Sequence, residues 1–234
     1  MVNDCSISFV IATHNRRDTL LGTLHRLRET VAGSCEFEIL VVDNASSDGT
    51  GEAVRSCFPD VRLVAVPGNL GSCAKAFGVD WARGDYVVFL DDDSCPRSGT
   101  VERMVERFEA DEQLGAAGFM VHLPDGRQEC SALPHVFVGC GAGFRREALV
   151  HVGGLDRTLF MQAEEYDLCF RLVRAGWRVG TFPDLHVDHL KTTRARVRGR
   201  TVYYDTRNNL ILTARYLPDA YETPYREDWL QRYA

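Results

Sequence analysis

Apolar runs and amphipathic stretches alternate along the first 110 residues. Residues 6–12 (SISFVIA) and 37–42 (FEILVV) are β-branched and apolar without alternation, the pattern of strands buried on both faces. Residues 61–66 and 86–90 (YVVFL) add two more strands, the first of them closed by Pro67-Gly68. Between the strands, residues 16–31 carry Leu20, Leu24 and Leu27 at helical spacing, with Asp18 at an early acidic position. Asp48-Gly49-Thr50 opens a second helix to about Cys57, and a third runs from about Ser72 to Ala82 before Arg83-Gly84. This order predicts βαβ units, a mostly parallel sheet flanked by helices and a Rossmann-like, doubly wound half.

Beyond residue 110 the pattern loosens. Residues 114–123 and 136–144 read as strands, 145–150 as a short helix and 164–175 as a longer one stopped by Gly176. Residues 177–182 read as a further strand, and 201–216 as a helix before a polar end. No repeat, low-complexity tract or linker divides the chain, which predicts a single α/β domain of two lobes, 1–110 and 111–216, with a tail at 217–234.

The composition, 45% hydrophobic and 26% charged, suits a globular chain, and the net charge of −6 argues against nucleic acid as a partner. The eight cysteines include no C-x-x-C pair and no zinc-ribbon spacing, so reduced structural thiols and a cytoplasmic setting are expected. The first residues lack a signal-peptide pattern, and no run approaches the roughly 18 apolar residues that span a bilayer. Peripheral membrane contact is compatible with this.

Polar residues follow each early strand: Thr13-His14-Asn15-Arg16, Asp43-Asn44, Asn69, and Asp91-Asp92-Asp93. In an open α/β sheet these loops share one rim, where ligands bind. Three adjacent carboxylates repel one another, and a cation relieves that repulsion; oxygen donors favour Mg2+ or Mn2+ bridging substrate phosphates. In an extended segment Asp91 and Asp93 share a face and Asp92 takes the other. Asp93 is therefore expected to ligate metal and Asp91 to lie toward a nucleoside, with Asp92 in the same acidic loop. Glu164-Glu165 at a helix start are ordinary dipole partners that can also supply a general base. In PDLHVDH, residues 183–189, either His186 or His189 could complete a metal site, and spacing does not choose. Lys191 to Arg200 is half basic, which suits a flap over a departing diphosphate.

Together these residues resemble family 2 of the glycosyltransferases, with its A-type fold, and its rhamnosyltransferase-like branch most of all. The matching stretches are SFVIATHNR, VVDNASSDGT, NLG at 69–71, ARGDYVVFLDDDS, GGLD at 153–156, EEYDLCFRLVRAGW and the histidine after FPDLHVD. The resemblance implies an inverting, Mn2+- or Mg2+-assisted transfer from a nucleoside-diphosphate sugar to a carbohydrate, glycolipid or small-molecule acceptor. By position it puts Thr13, Asn15, Arg16, Asp43, Asn69, Asp91 and Asp92 on the nucleotide-sugar, with Arg207 of an Arg-Asn pair. Asp93 and His189 fall at the metal, and Glu165 at the base, where the family commonly has Asp. The first lobe would then bind the donor and the second the acceptor. Ala76-Phe77 stand where the family often carries Arg-Asn, and Lys75 is expected to compensate. Many members continue beyond the position of Ala234, and a truncated end would lack acceptor or membrane contacts. A nucleotidyltransferase would want a glycine-rich phosphate loop after the first strand, which THNR is not. A silent nucleotide-sugar-binding domain would share the site without turnover. Gly139 to Gly143 lacks the acidic partner of a dinucleotide fingerprint.

Overall fold

The protein is described from a computed structural model, which covers residues 6–33, 35–129, 131, 133, 135–191 and 198–231. The early strands form where the apolar runs predict them: β1 (Ser6–Thr13), β2 (Glu36–Asn44), β3 (Arg62–Val66) and β4 (Tyr86–Asp91). They alternate with α1 (Arg17–Val31), α2 (Thr50–Cys57) and α3 (Lys75–Trp81), the last preceded by a 3-10 turn over Gly71–Ala74. β1 pairs in parallel with both β2 and β4, and β2 with β3. The strand period of two sorts side chains between two cores. Ile7, Phe9, Ile11 and Val88 meet Leu20, Leu24 and Leu27 of α1, whereas Val10, Leu40, Val42 and Phe89 meet Ala76 and Val79 of α3. Burial on both faces explains why these strands read as unbroken apolar runs.

The second half is mixed rather than parallel. After β5 (Ser94–Pro96) and α4 (Thr100–Ala110) come β6 (Leu114–His122), the two-residue β7 (Gln128–Glu129) and β8 (Gly141–Arg145). Then follow α5 (Arg146–His151), α6 (Glu164–Arg174), β9 (Arg178–His189), α7 (Arg198–Tyr216) and α8 (Asp219–Gln231). Among the described residues, nine strands make one sheet in the order β3-β2-β1-β4-β8-β6-β9-β5, with β7 on β6. β8 is antiparallel to β4 and β6, and β9 is parallel to β6.

Four departures from the sequence expectation have physical causes. β8 begins at Gly141, not near Val136, because backbone groups of 139–140 bond to side chains: the Gly139 carbonyl accepts from Lys75, and the Cys140 carbonyl from Ser94. β9 continues past Pro183, since a register shift after Phe119 moves the pairing from Phe182 to His186 and absorbs the proline in a bulge. β5 is only three residues long and pairs with the end of β9. The polar end is the helix α8, which buries none of its residues and contains Pro224, so neither periodicity nor composition announces it. Among the described residues no helix is long and apolar enough to cross a membrane.

Two glycines give a paired stability test. A Cβ on Gly84 would lie 2.7 Å from Ser8 N and 2.8 Å from Ser6 O, both backbone, while one on Gly22 of α1 meets nothing within 4 Å. Gly84→Ala is expected to cost about 1–3 kcal/mol as overpacking. Gly22→Ala should gain about 0.5–1 kcal/mol as a helix-interior replacement. Urea unfolding of the two variants checks both signs.

Candidate active site

The carboxyl ends of β1, β2 and β4 lie side by side, with Thr13 in register with Asp43 and Ala12 with Asp91. Beside them opens a cavity of about 460 Å³ whose wall includes Thr13, Arg16, Asn69, Lys75, the three aspartates, Glu165 and His189. The second half of the chain lines it further through Glu129, Gly139, Cys140, residues 160–162 and Glu164.

The strand alternation expected through the aspartates stops at Asp91, because Asp92 and Asp93 form a turn into β5. Each carboxylate therefore meets a different neighbour. Asp91 Oδ1 accepts from Lys75 Nζ at 2.7 Å. Asp92 accepts from the Thr13 hydroxyl at 2.8 Å and lies 3.2 Å from Arg16 Nη1. Asp93 Oδ2 is 2.8 Å from Arg16 Nη2, and its Oδ1 is 3.2 Å from His189 Nε2. Burial pushes the Asp92 pKa up to about 7 despite Arg16 and Thr13. Burial works to lower the Lys75 pKa, but the Asp91 contact outweighs it and holds the ammonium above its ordinary pKa.

His189, not His186, faces the cavity; His186 turns to His122, with Nδ1 3.0 Å from His122 Nε2. Burial would lower the His189 pKa, yet Asp93, Cys140 and Glu129 outweigh it and push it up to about 12. Glu129 is held down at about 2, first by His189 and against its own burial. His189 is 5% exposed, and neither ring nitrogen makes an aligned hydrogen bond. A buried imidazole without an aligned partner, beside two carboxylates, fits a divalent cation; without one, a proton supplies the positive charge.

Glu165 sits in the first turn of α6, its Oε1 accepting the Gly139 N–H at 3.2 Å. Burial raises its pKa, opposed by the helix N–H and Lys75. The neighbouring Glu164 accepts the Ser72 hydroxyl, and burial together with the Glu165 charge pushes it up to about 8. The loop before α6 holds Phe160, Gln162 and Ala163 at positive φ. Asn208, fully buried, secures that loop by donating to the carbonyls of Leu159, Met161 and Gln162 at 2.7–2.8 Å.

Three expected donor contacts do not line the cavity. Asn15 Oδ1 accepts the Ser47 N–H at 2.7 Å, and Asp43 Oδ1 the Ser46 N–H at 3.0 Å. Arg207 donates to the Thr158 carbonyl at 3.0 Å. Asn69 lines the cavity while its side-chain Oδ1 accepts from Asn44 Nδ2 and the Gly71 N–H. Of the basic stretch, residues 192–197 lie outside the described residues; Lys191 pairs with Glu129 at 2.8 Å, and Arg200 lines the cavity. The sequence reading missed Ser72, Glu129 and Cys140, which reach the site through tertiary contacts that no local spacing signals; Asn44, already on the predicted rim, lines the cavity too. The six described cysteines, at 35, 57, 73, 95, 140 and 169, are free thiols, as expected; Cys5 and Cys130 fall outside the described residues.

The model for glycosyl transferase family 2 matches residues 8–153, more than half of the chain. The chain belongs to that family. Its relatives include N-acetylglucosaminyl-diphospho-decaprenol L-rhamnosyltransferase of Mycobacterium tuberculosis, 27% identical over 204 residues, covering 65% of this chain and 66% of the relative. The succinoglycan biosynthesis protein ExoO of Rhizobium meliloti is 33% identical over 169 residues, covering 66% of this chain and 47% of the relative. The chain thus spans between under half and about two thirds of these relatives. Similar folds include the mannosyltransferase PcManGT of Pyrobaculum calidifontis in complex with GDP-Man and Mn2+, with TM-score 0.69 and 21% identity over 97% of this chain and 70% of that one. TarS 1-349 of S. aureus in complex with UDP-GlcNAc gives TM-score 0.70 and 16% identity over 97% and 72%. These likenesses identify the A-type glycosyltransferase fold, and the mycobacterial relative agrees with the rhamnosyltransferase-like resemblance.

Glu164 offers a pH test of the site's electrostatics. Its folded pKa, about 8, stands above its ordinary 4.5, so the folded state holds a proton that the unfolded chain releases. That contribution is complete below about 4.5 and is lost as pH rises through about 8. Relative to Glu164→Gln, the unsubstituted protein should therefore lose stability steadily from pH 5 to 8 and level off above, in paired urea titrations. A pH-independent difference would show that Glu164 ionises normally.

Proposed function

We propose that the chain moves a sugar from a nucleoside-diphosphate sugar to an acceptor hydroxyl, with inversion at the anomeric carbon and with Mn2+ or Mg2+ at the acidic cluster. The observation that carries this reading is the sharing of one cavity by a carboxylate of raised pKa, Glu165, with Asp91, Asp93 and His189. Relatives bearing glycosyltransferase names, and similar folds holding GDP-Man with Mn2+ or UDP-GlcNAc, support the donor class and the cation. The mycobacterial relative's name supports a glycolipid among the acceptors, alongside carbohydrates and small molecules. Such a reaction belongs in the cytoplasm, with acceptor contact at the membrane surface where the acceptor is a lipid.

In this reading Glu165 takes the proton of the acceptor hydroxyl as its oxygen attacks the anomeric carbon. The bond from that carbon to the phosphate oxygen breaks on the opposite face, and its electron pair leaves with the nucleoside diphosphate. Burial serves the base, because a carboxylate of raised pKa accepts a proton more readily near neutral pH. Asp93 and His189 would hold the cation, which when bound would supply Lewis-acid stabilisation to the leaving diphosphate. Arg16, Lys75 and Arg200 add positive charge on the same wall. Thr13 and Asn69 face the nucleoside end; Asn15 and Asp43 brace the loops around it. Arg207 acts through the 158–162 loop that it and Asn208 hold.

Glu165→Gln keeps the shape of the cavity and removes the base. Nucleotide affinity should persist while transfer falls by about 10²-fold or more. Near-normal transfer by this variant would take Glu165 out of the mechanism. A thermal-shift series over nucleoside-diphosphate sugars, with and without Mn2+, identifies the donor: a ligand at a hundred times its Kd adds about 2.7 kcal/mol to the folded state. Stabilisation that ignores Mn2+ throughout would sink the cation's role.

A further inference from the structure

We infer that Cys140 is a ligand of the divalent cation in this cavity, so that the site favours thiophilic ions such as Zn2+ and Co2+ beyond what oxygen and nitrogen donors alone would give. The inference rests on the cation-assisted reading above and concerns which ion the site selects.

Cys140 Sγ, an Asp91 carboxylate oxygen and a His189 ring nitrogen all lie within 4.8 Å of one another. Tetrahedral ligand bonds of about 2.0–2.3 Å set neighbouring donors roughly 3.3–3.8 Å apart, so modest side-chain movement closes the set on an ion. His189 is 5% exposed with neither nitrogen in an aligned hydrogen bond, and Cys140 is 3% exposed. A buried thiol ordinarily packs as a small hydrophobe. This one packs at the margin of the core and also lines the cavity, where it faces an imidazole and a carboxylate.

The backbone holds the three donors together through Ser94. Its hydroxyl donates to the Cys140 carbonyl at 2.7 Å and accepts the Asp91 N–H at 2.8 Å, tying those two positions to each other. Ser94 is also the register partner of His189 in the β5–β9 pair. One small residue thus fixes the origin of all three side chains. Asp93, the carboxylate given to the cation above, completes the set as a fourth donor: its Oδ1 lies 3.2 Å from His189 Nε2 while Arg16 Nη2 engages its Oδ2 at 2.8 Å. A site built for Mg2+ needs only oxygen, whereas thiolate selects zinc-like ions.

The test adds Co2+ to the metal-free full chain without nucleotide. A near-ultraviolet thiolate-to-cobalt charge-transfer band, saturating at one ion per chain, is expected. Cys140→Ser should abolish the band and shrink the preference for Zn2+ over Mn2+ by about tenfold or more in competition titrations. X-ray absorption of the Zn2+-loaded unsubstituted protein needs no variant, and should find a sulfur neighbour at about 2.3 Å. Absence of both band and sulfur neighbour, or a band that survives in Cys140→Ser, overturns the inference. The transferase reading fails separately: a cobalt–thiolate band with no stabilisation by any nucleotide-sugar would keep Cys140 as a ligand and remove the donor. Mn2+-dependent stabilisation by a nucleotide-sugar without the band would do the reverse.

Discussion

Three successive carboxylates at the end of a buried strand are a charge problem that the rest of the chain is arranged to meet. Two unit charges 4 Å apart interact by about 4 kcal/mol at an effective dielectric constant near 20, so adjacent carboxylates in a cavity cannot stay ionised unaided. Lys75 serves Asp91, Arg16 serves Asp92 and Asp93, and His189 meets Asp93. These cations come from α3, the loop after β1 and the last residue of β9. The acidic turn therefore draws distant parts of the chain to one point, where a bound cation and a diphosphate would enter a field already close to balance.

That convergence explains features that look irregular when taken singly. β9 has to pass its own proline to deliver His189, and the bulge opposite Phe119 and Met120 lets it do so while keeping His189 in register with Ser94. β8 gives up pairing before Gly141 so that residues 139 and 140 can offer their carbonyls to Lys75 and Ser94. Gly139 also leaves room for the base: a Cβ there would lie 2.7 Å from Glu165 Oε1 and would push that carboxylate aside. Ladder hydrogen bonds are given up where side chains of the site take over the same backbone groups.

The parts legible in the sequence were those that local pattern encodes. Four apolar runs gave four strands, leucines at helical spacing gave α1, and the polar residues after each strand marked the rim. Motif order also grouped Glu165 and His189 with the aspartates, and all of them line one cavity. What stayed hidden depends on contacts between distant residues. Glu129 lies on a strand of two residues, too short for any periodicity, yet meets His189 and Lys191. Ser72 matters through Glu164, far along the chain, and Cys140 looked like one more apolar residue in a glycine-rich run. Asp92 does not take the opposite face that an extended backbone would give it, because the chain turns there and all three aspartates line the cavity.

The adjacent pair Glu164 and Glu165 shows how the fold can separate two chemically alike groups. Both lie in the first turn of α6, where the helix dipole favours negative charge but burial opposes two charges at once. Glu164 receives the Ser72 hydroxyl, and its strongly raised pKa keeps it protonated at neutral pH, joining α6 to the turn after β3. A neutral Glu164 removes the nearest like charge from Glu165. Lys75 and the Gly139 N–H then favour the ionised form of Glu165 against burial. One carboxyl thereby becomes a neutral staple and its neighbour a base facing the cavity. The division follows from which partner each oxygen meets, and the proposed reaction requires that inequality.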